Sequence, residues 1–459
     1  MHMSDSAHAI DTIAQARRLM AAGKLSPSEL VAEFARRITE QDATLRAWVH
    51  PGLELARERA RALDRQLGGN TPLPPLFGIP FGAKDIIETR TLPTEAGSRV
   101  LAGNRPDTNA TVIDRLEAAG AVLMGKTATT EFAHMGGPPA TVNPWDHRHT
   151  PGGSSSGSAA SVAASMAMFA LGSQTAGSMC RPAAYNGLTV LKASFGRVSK
   201  AGVIPAAWTL DHIGAFTHTV EDTLLVYNAM AGPDPRDDTT LPLPVEPLVQ
   251  RRREGMSLGL IDHPYFEQAD ASVLTAMDAA VATLRGLGVQ VRRVTLPDGF
   301  DDFVASQAVV MQAEMAAFHA DWHATRADRY TPEVRGYIAE GLSIRAADYL
   351  RAQRIRQAYR QRFDALFDHV DVLVSPAAQS PAPAGHGYTG SPVLNLPFTH
   401  LGIPVLALPT GFGPGGILPV GMQLASRTRN EQAVVDMGLC FQAETDWHLR
   451  RPAPVEVCA

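Results

Sequence analysis

Between residues 8 and 66 the apolar positions fall at helical intervals. In SPSELVAEFARRITEQ they occupy Leu30, Val31, Phe34 and Ile38. That spacing of three to four puts them on one helix face, with Ser26 or Ser28 able to cap its start. PGLELARERARALDRQLGG reads as a second helix ending at Gly68-Gly69. After residue 72 short, nearly continuous apolar runs appear, bounded by glycine and proline. PLFGIPFGAKDII and AVLMGKT (121–127) read as strands, with the helix ATVIDRLEAAG before the latter. GSAASVAASMAMFALG reads as a helix of small residues, and LTVLKASFGRVS and HIGAFTHTVEDTLLVYNAMAG continue the strand–helix alternation. LPLPVEPL marks a surface crossing into a segment, 240–370, that holds the strands MSLGLI and VQVRRVTL among long amphipathic helices. DVLVSPA and GIPVLALPTGF return to buried-strand character. No repeat of fixed period is visible. The alternation predicts an α/β protein built on a largely buried mixed sheet.

Composition adds limits to this picture. The 459 residues are 45% hydrophobic and 19% charged, the balance of a globular chain with a large core. A formal net charge of −5 lacks the basic footprint of a nucleic-acid binder. Arg251-Arg252-Arg253 is short enough to be a solvated patch. Cys180, Cys440 and Cys458 are widely spaced, without a C-x-x-C pair, which argues against a disulfide framework and against a thiolate zinc site. MHMSDSAHAI lacks the layout of a signal peptide, and no apolar run approaches the ~20 residues of a membrane helix. The expected location is the cytoplasm.

The candidate chemistry centres on PGGSSSGSAASVAAS, residues 151–165. A flexible linker would have polar, aperiodic flanks, whereas this stretch runs straight into an apolar helix. A phosphate-binding loop would need a lysine after the glycine turn, where Ser158 and Ala159 stand instead. Gly153 to Gly157 fits G-x-S-x-G with Ser155 as nucleophile, but that elbow must follow a strand, and NPWDHRHTPG is none. Its histidine would have to be His386 or His400. His147 and His149 could bind a metal, yet no carboxylate or cysteine stands at ligand spacing, so turn or surface roles are expected.

With its flanks, the stretch resembles the amidase signature family of serine hydrolases. The resemblance rests on PLFGIPFGAKDIIETRTLPTEAGS, LEAAGAVLMGKTATTEFA, NPWDHRHTPGGSSSGSAASVAAS and GSQTAGSMCRPAAYNGLTVLKASFGRVS. It extends through AGVIPAAWTLDHIGAFTHTVEDT to TGSPVLNLPFTHLGIPVLALPTGF and LPVGMQLASRTRNE, nearly the whole chain apart from 240–370. It implies the amidase signature fold, a large mixed sheet with helices on both faces, as one domain over 3–459. Within it would lie N-terminal helices (8–66), a signature core (about 72–235), a variable segment (about 240–370) and a core return (371–455).

The resemblance further implies a Ser-cisSer-Lys set in which Ser178 is the nucleophile, Ser154 the proton relay and Lys84 the base. A serine hydroxyl needs a base, and lysine serves as one only when neutral, a form that burial favours. Lys84 lies between GIPFGA and II, a setting that could desolvate it. Taken alone, a surface pair with Asp85 would fit Lys84 better, and only the two serine turns favour the catalytic role. Backbone N–H groups of Thr175, Ala176, Gly177 and Ser178 would form the oxyanion hole. Gln174 and Ala176 depart from the family's usual acidic residue and glycine, so Ala176 fits only if its φ is not restricted to glycine. Ser155, Ser173 and Arg181 would support the set. Ser155 equally suits a helix cap. Met135 falls where the family lines its acyl pocket.

The expected activity is hydrolysis of an amide, with aryl amides and carbamates (urethanes) among the candidates, through an acyl-Ser178 intermediate. No metal or organic cofactor is expected. Expected partners are a small neutral amide or carbamate only, without nucleic acid or membrane, the chain acting as monomer or homodimer. Two other readings stay open: the glutaminase subunit of a tRNA-dependent amidotransferase, and a catalytically silent binding relative.

Overall fold

A computed structural model describes residues 10–68, 72–134 and 136–453. Eleven strands form one sheet in the order β1-β3-β2-β4-β6-β5-β10-β11-β9-β7-β8. They are β1 (Trp48–Pro51), β2 (Pro80–Lys84), β3 (Val122–Thr127), β4 (Phe169–Gln174), β5 (Thr189–Lys192), β6 (His212–Thr217), β7 (Ser257–Asp262), β8 (Gln290–Thr295), β9 (Val372–Pro376), β10 (Val405–Phe412) and β11 (Pro419–Ser426). The sheet is mixed: β2 runs parallel to β3 and β4, and β7 parallel to β8 and β9, while every pairing between β4 and β9 along the sheet is antiparallel.

The helices are α1 (Ile13–Ala21), α2 (Pro27–Leu45), α3 (Leu53–Asp64), α4 (Thr111–Ala118), α5 (Ser156–Ala163), α6 (Cys180–Asn186), α7 (Val220–Met230), α8 (Ala271–Gly286), α9 (Phe300–Arg326), α10 (Pro332–Gly341), α11 (Ala346–Asp364), α12 (Leu396–Leu401) and α13 (Glu431–Ala443). With the sheet they make the α/β architecture that the hydrophobic alternation predicts. None of the described helices is long and apolar enough to cross a membrane.

Every residue of β2 through β6 is buried, which is why these strands read as unbroken apolar runs. Phe81 on β2 stacks on Phe169 of β4, ring centroids 5.0 Å apart, and locks the two parallel strands in register. Their C-terminal ends therefore lie side by side, and ligand sites of parallel sheets favour that edge. The segment 240–370 is not a separate appendage: it supplies β7 and β8, which complete one end of the sheet.

Local signals explain most boundaries. Ser26, not Ser28, caps α2: its hydroxyl accepts from Glu29 N while the Glu29 carboxylate accepts from Ser26 N, a reciprocal capping box. Elsewhere the sequence pattern and the structure part. GSAASVAASMAMFALG is not one helix: α5 stops at Ala163, Ser165 takes a left-handed φ of 52°, and Phe169 onward becomes β4. The helical region 8–66 contains the short strand β1, and LPVGMQLAS forms β11. Four residues between two helices leave no measurable alternation, and β11, buried at every position, lacks the period of two that marks a strand.

Candidate active site

Lys84 ends β2 and Ser173 lies near the end of the neighbouring β4, so the register of the two parallel strands brings both side chains to one edge. The lysine is fully buried, and its Nζ donates to the hydroxyl oxygens of Ser154 at 2.6 Å and Ser173 at 2.8 Å. Burial lowers the Lys84 pKa to about 7, against the opposing pull of the Asp211 charge. Asp85 does not pair with it. That carboxylate faces the buried Lys126 instead, 3.4 Å away.

The Gly/Ser stretch is buried from Pro151 to Ala164, as a linker would not be. The Gly153–Ser154 peptide bond is cis. Arg181, also buried, donates through Nη2 to Gly153 O and holds the start of this turn. Ser155 occupies the N-cap position of α5 but makes no capping hydrogen bond. Its hydroxyl both accepts from Ser173 N and donates to Ser173 O, at 3.3 Å each, so it ties the loop to β4. His400 Nε2 is engaged by Ser306 Oγ at 2.9 Å, so neither partner that an elbow would need attends Ser155.

Ser178 is half-buried in the turn between β4 and α6. Gln174 braces this turn from beneath: its Oε1 accepts from Met179 N (2.8 Å) and Cys180 N (2.9 Å), and its Nε2 donates to Thr399 Oγ1 (2.9 Å). Thr175 Oγ1 donates to Asp211, whose second carboxylate oxygen accepts from Ala206 N and Ala207 N. Ala176 has a negative φ, so an alanine fits there without strain. Gly177 also has a negative φ, and what excludes a side chain is space: an added Cβ would lie 2.5 Å from Asn395 Oδ1. Among the described residues, the N–H groups of Ala176, Gly177 and Ser178 donate to no acceptor. Three unclaimed donors around a half-buried hydroxyl suit a developing oxyanion. A buried lysine poised near neutrality beside two hydroxyls suits proton transfer.

The other expectations fall away from this centre. Met135 lies outside the described residues, as does Cys458. His149 Nδ1 is 3.4 Å from Asp146, which also pairs with Arg148, and no cluster of three or more potential metal ligands occurs among the described residues. Arg251 and Arg253 are ion-paired with Asp436 and Asp371. Asp211, Gln307 and Thr399, all buried and all bonded to the 174–178 turn, were not singled out by the sequence. Asp211 and Thr399 sit inside the motifs WTLDHIG and NLPFTHLG, the one signal that could have marked them.

Residues 29–435 match the family model described as Amidase. The amidase-type chain of glutamyl-tRNA(Gln) amidotransferase from Chloroflexus aggregans is 38% identical over 96% of this chain and 98% of its own length. The corresponding chain from a Cyanothece strain is 35% identical over 93% and 96%. Among solved structures, one from a vestigial protein complex bearing on the origins of an s-triazine catabolic enzyme superposes with a TM-score of 0.88 at 31% identity, covering 94% of this chain and 98% of that one. The peptide amidase of Stenotrophomonas maltophilia gives 0.83 at 27% identity, covering 98% and 99%.

These relatives correct one expectation, that of a small neutral amide or carbamate as sole partner, with no nucleic acid and at most a second copy of the chain. Full-length relatives are subunits of an enzyme named for a glutamyl-tRNA. The error has a physical source. A net charge of −5 averages over the whole surface, and a protein that shares its work with other chains need not carry a basic footprint itself.

Proposed function

The chain belongs to the amidase family and is a hydrolase of C–N bonds, and from that premise we propose that it hydrolyses the carboxamide of glutamine as the ammonia-releasing subunit of a tRNA-dependent amidotransferase. The observation that carries the chemistry is the buried Lys84 amine held against the Ser154 and Ser173 hydroxyls. Similarity over nearly the full length of the amidotransferase relatives supports the substrate and the assembly.

In the proposed first step Ser178 Oγ attacks the amide carbon while its proton passes to Ser154. The Ser154 proton passes in turn to neutral Lys84 Nζ, across the 2.6 Å contact with the hydroxyl now donating. The oxyanion rests on the N–H groups of the 175–178 turn. Lys84 returns a proton through Ser154 to the leaving nitrogen, the C–N bond breaks, and ammonia departs. Water then attacks acyl-Ser178 by the same relay, which releases the carboxylic acid and restores the Ser178 hydroxyl. Arg181 and Ser155 position Ser154 and Ser173 and take no proton.

The test is ammonia and glutamate release from glutamine by the purified chain, alone and with the other amidotransferase subunits and glutamyl-tRNA. The reading expects release that Ser178→Ala abolishes and that the partners and tRNA raise at least tenfold. Hydrolysis of simple anilides without any glutamine turnover in the full assembly would contradict the assigned substrate.

A further inference from the structure

A trans peptide unit carries its C=O and the next residue's N–H in one plane, pointing in opposite directions. Fixing a carbonyl on one side of the chain therefore aims the following N–H at the other. In the nucleophile turn three successive carbonyls are fixed in this way. Thr175 O accepts from Gln307 Nε2 at 3.4 Å, Ala176 O from Thr399 Oγ1 at 2.7 Å, and Gly177 O from Arg181 N at 3.1 Å. The N–H groups thereby aimed the opposite way are those of Ala176, Gly177 and Ser178, the three that donate to nothing among the described residues.

The middle bond is the short one, and it depends on the identity of residue 174. Gln174 Oε1 must face Met179 N and Cys180 N, since both can only donate. Its Nε2 is thus turned to Thr399 Oγ1, at 2.9 Å, and occupies a lone pair of that hydroxyl. The single Thr399 proton is left for a carbonyl, and Ala176 O at 2.7 Å is nearer than Asn395 O at 3.2 Å. A carboxylate at 174 would reverse this: it would accept the Thr399 proton and release Ala176 O. The glutamine, where the family pattern has an acidic residue, is therefore matched to the threonine.

We propose that Thr399, oriented by Gln174, is a positioning residue that aims the Gly177 N–H at the oxyanion of the substrate. The proposal rests on the Ser178 reading above and deepens it. Thr399 touches no reacting atom. It acts through one peptide plane, on the transition state more than on the bound ground state.

The experiment follows turnover of 4-nitrophenyl acetate by wild type, Thr399→Val, Thr399→Ser, Gln174→Glu and Ser178→Ala. Thr399→Val is expected to lower kcat about 10- to 100-fold with KM changed less than about twofold, and to leave the pH midpoint of kcat/KM in place. Thr399→Ser should keep at least half of wild-type kcat. Gln174→Glu keeps the acceptor for the two N–H groups, loses the donor to Thr399, and should reproduce the kcat loss on its own pH plateau. A boronic acid that forms a tetrahedral adduct on the serine should weaken by the same factor as kcat/KM in each variant. Wild-type kcat in folded Thr399→Val, or a serine variant as poor as the valine variant, would overturn the proposal. If Thr399→Val does not fold, unchanged kcat in Gln174→Glu would do so. Turnover that survives Ser178→Ala, or is absent from wild type, would instead overturn the reading beneath it.

Discussion

Lys84, Lys126 and Lys192 are all fully buried, and burial lowers the pKa of each, to about 7, about 8 and about 7. Their neighbours tell them apart. Lys126 donates to Thr94 Oγ1 and Pro93 O and faces Asp85, and Lys192 donates to the carbonyl of Ile403, so both are anchored to groups that have no proton to exchange or no route to a nucleophile. Lys84 alone among the three contacts two serine hydroxyls. The contacts predict unequal losses in amide hydrolysis. Ser154→Ala should lower kcat by about 10³-fold or more, because the relay is cut, and Ser173→Ala by about 10- to 100-fold, because the amine loses one of two anchors. Equal effects would place both serines in the same role. Lys84, Ser154 and Ser178 were legible in the sequence because long motifs surround them. Gln307 and Thr399 were not, because they reach the nucleophile turn from 129 and 221 residues away along the chain, and no local pattern announces such a contact. The departure at residue 174 was legible as a difference, but its meaning required Thr399.

At the scale of elements, the site depends on two parallel strands ending together and on turns fastened to them. Ser155 binds the Gly/Ser turn to β4 through the Ser173 backbone, and Gln174 binds the nucleophile turn to the start of α6. Strands β2, β3, β5 through β10, and helices α2, α3, α4 and α7, were readable from hydrophobic spacing. β1, β11 and the break between α5 and β4 were not, since small and apolar residues satisfy helix and strand patterns alike. The N-terminal helices are held by local signals and lie apart from the chemistry, which permits a separate test of stability. Ser26→Ala removes one half of the α2 capping box and should destabilise the fold by ~1 kcal/mol. Urea unfolding should show a lower midpoint at unchanged slope, with kcat of the folded enzyme unaltered. A fall in kcat instead would couple α2 to the site.

Across the whole molecule, the decisive property is depth. Lys84 lies in the middle of an eleven-stranded sheet whose central strands are buried on both faces, and that burial, not a neighbouring charge, keeps its amine neutral near pH 7. Composition and charge described the same molecule correctly as a large α/β core and still misjudged its partners, because partner recognition depends on local surface that an average conceals. The central claim is that a neutral, buried Lys84 drives acylation of Ser178. Its most direct test is the pH dependence of the single-turnover acylation rate, followed by mass spectrometry of acyl-Ser178. A group with a lowered pKa loses its proton as pH rises through that value, so the rate should climb through a midpoint of about 7 and level off above it. Lys84→Ala should be slower by about 10³-fold and lose that midpoint. A midpoint near the ordinary lysine value of about 10.4, or a Lys84→Ala variant acylated at the wild-type rate, would contradict the account.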